Sequence, residues 1–140
     1  MNRWQKLMQQ GNVHYSDNNF AKAALFYHRA IRQLEIQKEN KPESIEAVQG
    51  WICGFHNLAQ VFQRTGDIEK ARDCLIIPHQ TMLAVSRNKK ASNQQQVNAI
   101  QALKLTLIPL LEFAQKYPTC EHCLESLLEQ YQNQFRRVLH

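Results

Sequence analysis

Apolar residues along this chain recur at spacings of three and four, the period of a helix with one buried face, and turn signals break the pattern into hairpins. A first helix is predicted from about Arg3 to Ser16. Asp17-Asn18-Asn19 then supplies a turn and an N-cap for a second helix reaching about Lys38. Lys38-Glu39-Asn40-Lys41-Pro42 interrupts the pattern, and Pro42 suits the first turn of a third helix, where its missing N–H costs nothing. That helix runs to about Thr65, Gly66 closes it and Asp67 caps the next. A fourth helix spans Ile68 to Arg87 with a kink or break expected at Pro78. Ser92 caps a fifth, ending near Tyr117 and bent at Pro109, and Pro118-Thr119 introduces a sixth. The sixth carries an apolar stripe through Cys120, Cys123, Leu124, Leu127, Leu128, Tyr131, Phe135, Val138 and Leu139. No segment alternates with the period of a strand. The expectation is one all-α domain over residues 1–140, built from three antiparallel hairpins at about 3–38, 42–87 and 92–139.

The first two hairpins are related to each other. Gly11 maps on Ala59, Phe20 on Ile68, Ala23 on Ala71 and Tyr27 on Leu75, each pair 48 positions apart. Small residues at Gly11, Ala23 and Ala30 allow two helices to approach, while Leu7, Phe20 and Tyr27 fill the space between them. This series resembles the signature of the tetratricopeptide (TPR) family. Phe55, Leu58, Ala59, Phe62, Gly66, Asp67 and Ala71 resemble it again across the second turn. The 48-residue spacing exceeds the roughly 34 residues of a standard repeat, so the helices must be longer. Pro78 stands where a small residue is expected, and Gln10 and His14 stand where apolar or aromatic ones are. The third hairpin keeps the form but not the signature.

The resemblance implies an α-α superhelix whose odd-numbered helices line a concave groove. On the first helix Gln5, Met8, Asn12 and Tyr15 share the relevant face; the repeat maps them onto Cys53, His56, Gln60 and Gln63 on the third, with Arg64 at the edge. Such a polar, largely uncharged surface suits hydrogen bonding to a protein or peptide, with Met8 and Tyr15 as apolar anchors. Asn12 and Asn57 resemble the asparagines of the carboxylate clamp found in some family members. The cationic members of that clamp are missing, Met8 standing where the first lysine belongs. The bland alternative is a solvated helix face.

Charge adds a second surface. Seventeen Lys and Arg against twelve Asp and Glu give a net charge of +5. Hairpin topology gathers Arg3, Lys6, Lys38, Lys41, Arg87, Lys89, Lys90, Arg136 and Arg137 at one end of the stack, a rim for an acidic partner or nucleic acid. Lys and Arg also complement helix C-termini, and no aromatic residues interleave with them to stack on bases, which weighs against nucleic acid.

Cys120-Glu121-His122-Cys123 has the spacing of a redox or metal motif, with Cys53 and His56 as further ligand types. Without a βαβ scaffold, and with both cysteines on an apolar stripe, a packing role is favoured over redox chemistry and over zinc. No Gly-rich phosphate loop, nucleophile elbow or His-Glu-x-x-His is present, so no catalytic residue, cofactor or metal is assigned. No apolar run reaches the roughly 18 to 20 residues of a membrane span, Lys104 and Pro109 interrupting the longest, and a cytoplasmic location with reduced cysteines is expected. The uncapped apolar residues of the last helix also make a homodimer an expectation.

Overall fold

A computed structural model describes residues 1–118 together with 126, 129, 130, 132 and 133. It is all-α: α1 (Arg3–Ser16), α2 (Phe20–Asn40), α3 (Ile45–Arg64), α4 (Ile68–Arg87) and α5 (Asn93–Lys116) follow one another as antiparallel hairpins. The chain groups into two compact units, Met1–Leu75 and Ile76–His140. The boundary falls inside α4, just before Pro78. That helix nevertheless runs through to Arg87, so the proline does not end it. The sixth helix expected from Pro118 onward lies outside the described residues.

In the first unit α2 packs against both α1 and α3. Its buried side, Ala23, Tyr27, Ala30, Ile31 and Leu34, alternates small and large residues at helical spacing. Opposite it stand three glycines. A Cβ on Gly11 would lie 2.6 Å from the Tyr27 ring, one on Gly54 2.6 Å from Ile31, and one on Gly50 about 3.0 Å from Trp4 and 3.1 Å from Leu34. Loss of the side chain is what lets these backbones approach, and each fully buried leucine then contributes about 1.5–3 kcal/mol. The small-residue reading of Gly11, Ala23 and Ala30 is the packing observed.

The two turns are copies. After α1, Asn18 N–H donates to Tyr15 O and Asn19 N–H to His14 O; after α3, Gly66 N–H donates to Gln63 O and Asp67 N–H to Phe62 O. Both pairs form the Schellman arrangement, with a left-handed residue just past the helix. Asn18 has φ 62° and Gly66 φ 82°. These residues are 48 positions apart, as are the starts of α2 and α4, so the repeat seen in the sequence is also a repeat of backbone conformation.

Helix starts follow cap chemistry. Asn2 with Gln5, and Ser92 with Gln95, form reciprocal capping boxes on α1 and α5. The third helix begins later than Pro42 predicts: Ser44 Oγ accepts the Ala47 N–H at 3.2 Å, a side-chain cap that proline cannot provide, and Pro42 is left in the preceding turn.

In the second unit α4 contributes Met82 and Leu83 to the core, and α5 contributes Ala99, Ala102, Leu103, Leu107, Leu110 and Phe113. The helices are tied by His79 and Thr106, both fully buried, with Nδ1 and Oγ1 2.9 Å apart. Thr106 donates its hydroxyl proton to Leu103 O, so His79 must donate from Nδ1, and burial, which lowers its pKa, favours the neutral imidazole. Against the sequence expectation, α5 is long and apolar enough for a membrane span, with a mean hydropathy of 1.3 over its best stretch. Of that stretch 44% is buried, and it holds the buried Thr106 bonded to His79 of α4.

Candidate functional site

Of the residues assigned to the α1/α3 face, the structure brings Met8 against Asn57 and Tyr15 near Arg64, all within the first unit. Tyr27, reaching up from α2, donates its hydroxyl to Asn12 Oδ1 at 2.6 Å. Burial, together with the neighbouring Cys53 and Tyr15, pushes that hydroxyl's pKa up to about 12, so it is a donor at any physiological pH. On α3, Asn57 Nδ2 points at two sulfurs, Met8 Sδ and Cys53 Sγ, each at 3.8 Å. Cys53 reaches the surface, yet packing around its thiol raises its pKa, opposed by the bond from Asn57. At the far end the Arg64 guanidinium lies 5.9 Å from the Tyr15 ring centroid and 5.2 Å from that of Phe20, within cation–π range. Gln60 is exposed and Gln63 half-exposed.

Three assigned residues stand differently from expectation. Met8 is buried, only 7% exposed, because it fills the space above Gly54; it is core and not a surface anchor. Gln5 spends its Oε1 on the Asn2 N–H in the α1 capping box. His56 is half-buried, its Nε2 without a hydrogen-bond partner, and burial lowers its pKa, so it presents a neutral ring. Sequence reasoning placed Tyr27 in the core but missed that its hydroxyl fixes Asn12. The only available signal was a tyrosine where the second repeat has Leu75.

The basic rim is only partly available. Arg3, Lys6 and Lys41 are exposed in the first unit. Lys38 is not a free charge: its Nζ sits 3.6 Å above the Trp51 ring, and burial lowers its pKa despite Glu35 nearby. Lys89 and Lys90 are exposed in the second unit, as is Arg87, while Arg136 and Arg137 lie outside the described residues. On the flank of α1 away from α3, an open hollow of about 400 Å³ is lined by Lys6, Gln9, Gln10, Val13 and His14.

Among the described residues no group of three or more His, Cys, Asp or Glu is placed to hold a metal ion. Cys120 and Cys123 lie outside them. Cys74 is buried, and burial followed by the nearby Asp73 raises its thiol to about 11, far from a reactive thiolate.

Fold and face together define a class: an all-α protein of helical hairpins with a partly polar inter-helix face. Its sequence matches, over residues 2–137, the family described as protein of unknown function (DUF2753), and the chain belongs to that family. No curated protein and no solved structure matches it.

Proposed function

We propose that this chain is a non-catalytic, TPR-like interaction module of the cytoplasm that holds a protein segment in extended form across the α1/α3 face. The observation carrying this reading is the way two asparagines are fixed. Tyr27 engages Asn12 through its oxygen, leaving the amide nitrogen as donor. The sulfurs of Met8 and Cys53 engage Asn57 through its nitrogen, leaving the carbonyl oxygen as acceptor. A peptide backbone offers one acceptor and one donor per residue, and a face presenting both from fixed side chains matches it at small entropic cost. Gln60 and Gln63 extend the same chemistry toward Arg64, whose guanidinium, already stacked on Tyr15 and Phe20, is placed for an acidic side chain.

Site-specific photo-crosslinking in host cells tests this. A benzophenone side chain at Gln60 is expected to give discrete adducts that disappear with Asn57→Ala. The same probe at Arg32, exposed on α2, is expected to give none of them. Identical adducts from both positions, or none from Gln60 with the helical circular dichroism intact, refute the face.

A further inference from the structure

The outward side of α5 is written in a self-complementary order. Val97, Leu105 and Ile108 are exposed by 45%, 51% and 45%, a run of apolar surface on a helix whose other side already packs in the core. Gln101, Lys104, Glu112 and Gln115 are exposed along the same side, at spacings of three and four. Lys104 and Glu112 each stand four residues from Ile108. Being eight residues apart, they are separated by roughly 12 Å along the helix and cannot pair with each other. Neither is in an ion pair with another of the described residues.

A second α5 laid antiparallel with Ile108 on the two-fold axis pairs Gln101, Lys104, Leu105, Glu112 and Gln115 at once, Val97 alone lying beyond the paired stretch. Lys104 then meets Glu112 of the other copy, and by symmetry the pair forms twice. Gln101 meets Gln115, amide to amide, and Leu105 meets Leu111, while the two Ile108 side chains meet at the centre. No other antiparallel register centred on the exposed apolar residues pairs both charges with opposite partners.

We propose that two copies of the chain associate through this side of α5, antiparallel and centred on Ile108. The contact does not depend on the α1/α3 face. One helix pair of this length buries less than the roughly 1,200 Å² of a standard interface, so the dimer is a weak, reversible one.

Sedimentation of the whole chain between roughly 5 and 500 µM is expected to show a monomer–dimer equilibrium. Lys104→Glu or Glu112→Lys each sets like charges opposite one another in both symmetric pairs and is expected to weaken the dimer about tenfold or more. The double reversal Lys104→Glu/Glu112→Lys restores opposite charges and is expected to return the wild-type constant. With the four native cysteines replaced, Ile108→Cys is expected to give a disulfide-linked dimer under mild oxidation, whereas Gln49→Cys on exposed α3 surface is not. A monomer at every concentration overturns the proposal. So does a dimer indifferent to either reversal, or an Ile108→Cys thiol that maleimide cannot reach in the monomer.

Discussion

The ring of Tyr27 lies directly on the backbone of Gly11: a Cβ built there would stand 2.6 Å from Cε1 and 2.7 Å from Cδ1. The ring has no easy retreat, since Tyr27 is buried and its hydroxyl is held by Asn12. Gly11→Ala gains about 1 kcal/mol of helix propensity, but the clash forces the α1–α2 contact apart. The expected net outcome is a loss of about 1–3 kcal/mol in urea denaturation. In a Tyr27→Leu background, where the plane of the ring is gone, the same substitution is expected to cost measurably less.

At Gly66 the argument is conformational alone, because a Cβ there would meet nothing within 4 Å. With φ at 82°, Gly66→Ala carries only the left-handed penalty of an L-residue, about 1–2 kcal/mol. Gly66→Asn is expected to cost less, since asparagine tolerates that region, as Asn18 does at the equivalent turn. The reciprocal Asn18→Gly is expected to be neutral or slightly stabilising. Thermal melts of the three variants give the order.

His79 gives the fold a pH dependence with a definite sign. Burial lowers its pKa below the ordinary 6.5, and it is held neutral with Nδ1–H on Thr106 Oγ1. Above pH 6.5 neither folded nor unfolded chain protonates it, and stability is flat. Below that value the unfolded chain binds the proton and the native one does not, so stability falls until the depressed folded pKa is reached. One such group gives a slope of up to about 1.4 kcal/mol per pH unit. His28 and His56, also lowered by burial, add to it. His79→Gln is expected to be less stable at pH 7.5 but to lose less between pH 7 and 5 than the wild type, as read by urea midpoints.

The hairpins were legible because their signals are local. Asn18 and Gly66 punctuate the chain, and small residues recur where helices cross. Ser44 displaced Pro42 as the start of α3 because a side-chain oxygen caps an N–H, whereas proline merely tolerates its absence; proline at the first turn is a permissive signal. Surface assignments were less legible. Met8, Asn12 and Lys38 each occupy the helix side foreseen, yet their availability depends on a second residue on another helix, Gly54, Tyr27 and Trp51 in turn. Periodicity gives the direction of a side chain but not what meets it.

Cys53 offers a direct chemical readout of the α1/α3 face. Packing raises its thiol pKa, so at pH 7.4 it holds less thiolate than a free cysteine, and only thiolate is alkylated. Iodoacetamide is therefore expected to modify native Cys53 more slowly than Cys53 of the urea-unfolded chain, with Cys120 and Cys123 replaced by Ser and Cys74, buried when folded, by Ala. Asn57 Nδ2 stabilises the thiolate, so Asn57→Ala removes the one contact lowering the pKa and is expected to slow the reaction further. Were the asparagine instead only a steric cover, the same substitution would open the thiol and accelerate it. The direction of the change thus separates an electrostatic role for Asn57 from a merely space-filling one. The assay follows the rate by mass spectrometry between pH 7 and 9, where the rate of a raised thiol climbs about tenfold per unit.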